Sequence, residues 1–203
     1  MLPERIRQLD VEIAGIAAGQ LLKQSVYEFR YLRGDDPQQA ALSLVMPASR
    51  ATYQDGDLFP VMDQNLPEGD LYLRLRSLFP KQALTPMHLL ALIGANGIGR
   101  LGFRVPGAAP VPPARTLDRA TLLATTYTPA VFDDLVAAYL ATGAGIAGMQ
   151  PKIMVPDRAA IPIPTLIVKA ASPAYPGLAA NEFLCLSAAR RAHIEVAAFD
   201  LSH

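Results

Sequence analysis

The chain has 203 residues, and its 18 basic and 18 acidic side chains give a formal net charge of zero. That balance argues against a generally basic nucleic-acid-binding surface, although it leaves room for a local patch. A hydrophobic content of 51% excludes a disordered chain and allows one domain, or two small ones, with a core.

Residues 11–46 read as β-structure. Tyr27, Phe29 and Tyr31 alternate with Glu28 and Arg30, the pattern of a strand with one buried face. The aromatic trio could stack on bases, but few basic residues interleave with it, so packing is the better reading. Leu42, Leu44 and Met46 repeat the alternation up to Pro47 and predict a further strand. Pro67-Glu68 predicts a helix start with proline at the first helical position, and Leu71, Leu75 and Leu78 mark its apolar face. Thr85-Pro86 opens a second helix that Gly94 closes as the C-cap glycine. His88 within it has no second histidine or carboxylate at metal-ligand spacing, so a structural role is expected. Leu101, Phe103 and Val105 alternate as a returning strand, completing a compact α+β unit.

The run VPGAAPVPP from Val105 to Pro113 is a sharp composition shift and reads as a semi-rigid connector. Helices are predicted over 117–124 and 129–140, the second capped at Thr128. Gly143, Gly145 and Gly148 then form a literal G-x-G-x-x-G, a weak signal by itself for a phosphate-cradling loop. A dinucleotide-binding fold needs a strand before such a loop and a helix after it. Here a helix precedes it, and Pro151, Pro156, Pro162 and Pro164 forbid a long helix after it. No Gly-Lys-Ser/Thr closes the loop, which excludes the Walker pattern.

The segment after the glycines reads as a hairpin: Ile153-Met154-Val155, a turn at Pro156-Asp157-Arg158, and Thr165-Leu166-Ile167-Val168, ending on Lys169. A helix over 178–194 comes next, with Phe183, Leu186 and Ala189 at helical spacing and Glu182 near its start. Glycine loop, hairpin, strand-borne lysine and helix-borne glutamate are the parts of a protein-kinase N-lobe, in that order. Taken singly, Lys169 would be a solvated strand-end lysine and Glu182 a first-turn glutamate favoured by the helix dipole. Cys185 is the one cysteine, so there is no internal disulfide framework and a reducing cytoplasm fits. It falls in the helix's apolar pattern, which predicts a buried structural thiol. No apolar run reaches membrane-spanning length, and the opening MLPERIRQLD is not a signal peptide.

Ile146-Ala147-Gly148-Met149-Gln150-Pro151-Lys152, Leu166-Ile167-Val168-Lys169 and Asn181-Glu182-Phe183 resemble the HipA family of bacterial serine/threonine kinases, the toxins of HipA/HipB toxin–antitoxin systems. The upstream pieces ALSLVMP (41–47) and NLPEG (65–69) resemble that family's N-terminal subdomain. The implied fold is α+β. A mixed α+β subdomain over 1–105 is followed by a proline-rich connector with helices over 106–142, and by a kinase-like N-lobe over 143–203.

The resemblance implies ATP as ligand, bound through the backbone of Ala147, Gly148, Met149 and Gln150. Lys152 would add a charge near the phosphates, Lys169 would contact the α- and β-phosphates, and Glu182 would orient Lys169. Family members that silence themselves by loop autophosphorylation carry a serine where Gly145 stands, which puts that control in doubt here. After the last helix only residues 195–203 remain, without an H-R-D-like or D-F-G-like segment. The expectation is half a nucleotide site, with no catalytic residue in this chain and no phosphate transfer without a C-lobe, which would also bring Mg2+. Implied partners are a HipB-like antitoxin, through which DNA is reached only indirectly, and a protein substrate such as an aminoacyl-tRNA synthetase. An apolar inter-lobe face would favour self-association. The alternative is a stand-alone interaction module that binds and restrains a HipA-like kinase.

Overall fold

The structure is a computed structural model, and it describes residues 3–33, 39–94, 99–108, 119–126, 128, 130–131, 134, 152–156, 164–169 and 176–202. Its N-terminal part is a five-stranded antiparallel sheet in the order β4-β3-β2-β1-β5. The strands are β1 (Gln8–Ile13), β2 (Ile16–Lys23), β3 (Tyr27–Tyr31), β4 (Thr52–Asp55) and β5 (Leu101–Arg104). Between β4 and β5 come three helices, α1 (Pro60–Asp63), α2 (Gly69–Leu78) and α3 (Pro86–Ile93).

Period-two patterning decides which face of the sheet is covered. Leu9, Val11 and Ile13 of β1, Leu21 of β2, Tyr27, Phe29 and Tyr31 of β3, and Leu101 and Phe103 of β5 are buried in one cluster. Met62 of α1 and Met87 and Leu90 of α3 join the same cluster. The aromatic trio is therefore core, as its alternation predicts. The intervening residues are polar and bond to one another: Gln20 to Asp10, Arg104 to Glu12, and both Arg30 and Gln54 to Glu28. Those two donors hold the Glu28 carboxyl below its usual value.

Local chemistry explains the connections. Ala14 and Gly15 both have positive φ, 51° and 76°, the requirement of a tight two-residue hairpin turn between β1 and β2. The register of β1 against β2 slips between Val11 and Glu12, which pair with Gly19 and Ala17, leaving Ala18 as a bulge. At Gly19 an added Cβ would lie 2.3 Å from the Arg30 carbonyl oxygen and 2.6 Å from Cζ of Phe29. Only glycine lets the Phe29 ring cross there.

The predicted cap residues of α3 hold. Thr85 is the N-cap and Gly94, with φ 60°, the C-cap. His88, 2% exposed, reaches back so that its Nδ1 accepts from the Thr85 N–H at 3.2 Å, a capping box with imidazole in the place of a carboxylate. Its Nε2 lies 3.1 Å from the Pro3 carbonyl oxygen, so it ties the N-terminal segment to α3. His88 is structural, as expected.

Two expectations fail. Residues 42–46 are a turn and not a strand: Leu42 and Met46 are 1% and 4% exposed but Leu44 is 101% exposed. The cause is Tyr31, whose buried hydroxyl accepts from the Leu42 N–H at 2.7 Å and donates to the Met46 carbonyl at 2.5 Å. It thereby gathers both ends of the turn, which Met46 N–H to Ser43 O closes at 3.1 Å. Arg100 fixes the same segment by donating to the carbonyls of Ala41 and Leu42. In α2, Pro67 precedes the N-cap Glu68 instead of occupying the first helical position. Leu71 and Leu75 are buried, whereas Leu78 is 52% exposed, because the last turn of α2 runs past the core.

Candidate functional site

Downstream, the described elements are α4 (Arg119–Ala124), β6 (Lys152–Pro156), β7 (Pro164–Lys169) and α5 (Leu178–Arg191). The helix expected over 129–140 lies mostly outside the described residues. Its capped start is present: Thr128 Oγ1 accepts from the Val131 N–H. The two predicted strands pair, β6 antiparallel with β7 in the register Lys152↔Lys169, Ile153↔Val168 and Met154↔Ile167. Pro156, expected in the turn, ends β6, and residues 157–163 lie outside the described ones. Apolar, partly β-branched runs in both strands favour this pairing.

Lys169 ends β7, and its ammonium forms an ion pair with Oε1 of Glu182 on α5. The two residues lie 13 positions apart in sequence. Gly177, with φ 75°, is the N-cap of α5, which begins at Leu178 and has no acidic residue in its first turn. Glu182 therefore sits in the second turn, beyond the reach of the helix dipole, and the first-turn reading is corrected. Lys169 is a partly solvated strand-end lysine that also has a carboxylate partner.

The pair's side chains are 33% and 35% exposed, so solvent screens the attraction and it adds under about 1 kcal/mol to stability. Its consequence is orientation. An ammonium has three donors, and commitment of one to Glu182 aims the remainder. Lys152 stands opposite Lys169 in the backbone register. Ala147, Gly148, Met149 and Gln150, with the whole glycine-rich segment, lie outside the described residues. Cys185 is exposed, correcting the expected buried thiol. Apolar neighbours at helical spacing do not bury a residue one position off the packed stripe, and α5 has no fully buried residue at all.

Sequence reasoning missed the segment after α5. The helix ends in a Schellman motif, with Ile194 N–H donating to Ala189 O at 3.0 Å and His193 N–H to Arg190 O at 3.1 Å. His193 takes the left-handed position, φ 60°, that glycine usually fills. The chain then folds back along the helix. The Phe199 ring meets Phe183 edge-on, with centroids 5.4 Å apart, and the Arg190 guanidinium lies 4.1 Å from the Phe199 centroid. Ser202 Oγ donates to the carbonyls of Leu123, at 2.9 Å, and Thr125, at 3.3 Å. A lone phenylalanine in a short polar–apolar tail carries no periodic signal by which this contact could be found.

Among the described residues no group of three or more His, Cys, Asp or Glu side chains could hold a metal ion. No helix among them is long and apolar enough to cross a membrane.

Comparison with known proteins places these elements. The family model described as HipA N-terminal domain matches residues 9–104, which span the five-stranded sheet and its helices. The model described as HipA-like C-terminal domain matches residues 144–203, which include β6, β7 and α5. A solved chain described as "N-terminal domain of HipA toxin" is similar at 22% identity, over 51% of this chain and 93% of that one, with a TM-score of 0.35. No curated protein matches the chain. With both family models matched in order along most of its length, the chain belongs to the HipA family.

Proposed function

We propose that the chain is the N-terminal part of a HipA-like toxin, a serine/threonine protein kinase, and that residues 143–203 form a kinase-like N-lobe in which Lys169 binds the α- and β-phosphates of ATP. The observation that carries this reading is the Lys169–Glu182 ion pair between the end of β7 and the second turn of α5. Kinase N-lobes use such a strand lysine and helix glutamate to hold phosphates. A strand-borne cation, downstream in sequence of a G-x-G-x-x-G segment, fits a polyanionic ligand.

In this reading the backbone N–H groups of Ala147, Gly148, Met149 and Gln150 cap the phosphates and Lys152 supplies a second positive charge. Glu182 keeps the Lys169 ammonium aimed. Mg2+ would be held only with the groups of a C-lobe, where it would neutralise phosphate charge. Transfer to a serine or threonine of a protein target, such as an aminoacyl-tRNA synthetase, requires the catalytic groups of a C-lobe. A HipB-like antitoxin is the partner the family context favours, and it would carry DNA contact.

Calorimetry with ATP and magnesium tests the reading. Weak binding that Lys169→Ala removes is the expected result. Binding of equal strength in that variant would overturn it.

A second reading has its own observation. Leu44 and Val45 are exposed side by side at the tip of the turn that Tyr31 and Arg100 hold, an apolar tip suited to a protein partner. Retention of a HipA-like kinase core by the chain, lost in Leu44→Ser/Val45→Ser, would favour an interaction module that restrains the kinase.

A further inference from the structure

Glu182 meets Lys169 only if α5 holds one rotation about its axis, and nothing in the ion pair itself enforces that rotation. The pair is a screened, third-exposed bridge, weak by nature. The helix carries no fully buried residue that could lock it into a core. Each residue step turns a helix by about 100°, so a slip of one position would carry Glu182 off the face that Lys169 reaches. Half-buried Leu186 and Ala189 pack without direction, so a directional contact is what can set the phase.

The tail supplies it. Phe183 follows Glu182 directly, and Arg190 lies two turns further on along the stripe of Phe183, since residues seven apart share a face. Helix side chains lean toward the N-terminus, which brings the long Arg190 side chain back over the ring that Phe183 meets. Phe199 occupies this place. Phe183 lies edge-on to it, with centroids 5.4 Å apart, and the Arg190 guanidinium is 4.1 Å from its centroid. Edge-to-face and cation–π contacts are directional as well as apolar. Three residues on, Ser202 Oγ binds the Leu123 and Thr125 carbonyls, so the ring is anchored to a second helix and cannot simply travel with α5.

We propose that Phe199 is a positioning residue: gripped between Phe183 and Arg190, it fixes the rotation of α5 so that Glu182 meets Lys169. The role rests on the nucleotide-site reading only for its consequence, which is tighter phosphate binding by an aimed Lys169. The geometric claim stands apart from that reading.

The test uses the whole chain and reads the pair itself. The side-chain ammonium NMR signal of Lys169, assigned by its loss in Lys169→Arg, is slowed in exchange and made visible by a carboxylate partner. It is expected in the parent protein and in Phe199→Tyr, which keeps the ring. It is expected to vanish in Phe199→Leu, which keeps apolar bulk without an aromatic face. Phe199→Ala should lose it too, and if that variant fails to fold the leucine variant decides. Persistence of the signal in Phe199→Leu would overturn the proposal, as would its absence from the parent protein. ATP calorimetry on the same variants separates the two claims. The signal responding to Phe199 while Lys169→Ala leaves ATP binding unchanged would sink the nucleotide reading and leave the positioning role intact. A signal indifferent to Phe199 with ATP binding that depends on Lys169 would do the reverse.

Discussion

Lys169 at the end of β7 and Glu182 in the second turn of α5 form an ion pair across 13 residues of sequence, both side chains about one-third exposed. A bridge this exposed orients more than it stabilises. Glu182→Gln should therefore lower stability by less than about 1 kcal/mol, yet, in the proposed nucleotide site, weaken ATP binding on the order of tenfold, which corresponds to about 1.4 kcal/mol. Denaturant melts and calorimetry on the same preparation check both halves. A large loss of stability with unchanged affinity would mean that the carboxylate serves the fold and not the ligand.

Tyr31 should be the costliest single hydroxyl in the N-terminal domain. Its oxygen serves both Leu42 N–H and Met46 O in a buried setting. Burial raises its pKa, which keeps it a neutral donor. Tyr31→Phe leaves both backbone groups without that partner at little change in shape, at a cost of about 1–3 kcal/mol. Urea unfolding would measure it, and faster proteolysis within residues 39–47 should accompany the loss. A variant as stable as the parent would show that the turn holds without the hydroxyl.

Gly19→Ala should destabilise the sheet. The new methyl would stand 2.3 Å from the Arg30 carbonyl oxygen, which is backbone and cannot rotate away. Overpacking of this kind costs about 1–3 kcal/mol or more. A thermal melt would read it directly. Phe29, whose ring also lies within 3 Å of that position, should change its aromatic environment in the near-ultraviolet spectrum.

His193→Gly is expected to stabilise the end of α5. His193 holds a left-handed conformation, φ 60°, which costs a side-chain-bearing residue roughly 1 kcal/mol and glycine almost nothing. Amide exchange at Ile194 and Ala192 should slow and the melting temperature rise slightly. A falling melting temperature would reveal a contact of the imidazole ring that outweighs the backbone strain.

Much of the architecture was legible in the residues. Alternation in Tyr27, Phe29 and Tyr31, the Thr85-Pro86 and Gly94 signals of α3, the returning strand at Leu101 and Phe103, and the apolar runs of β6 and β7 are local patterns, and local patterns report local conformation. Lys169 and Glu182 could be nominated from their order along the chain. Alternation at Leu42, Leu44 and Met46 misled, because the Tyr31 hydroxyl on β3 bends that segment into a turn and periodicity carries no sign of a side-chain-to-backbone bond. Cys185 misled because helical spacing says which residues share a face but not how far a neighbour covers it. That Lys169 and Glu182 touch, that Phe199 grips α5 between Phe183 and Arg190, and that Ser202 anchors the tail to α4 were decided only by tertiary structure. Each joins residues whose individual contact energies are small, and such contacts form only when the rest of the fold has already brought the partners within reach.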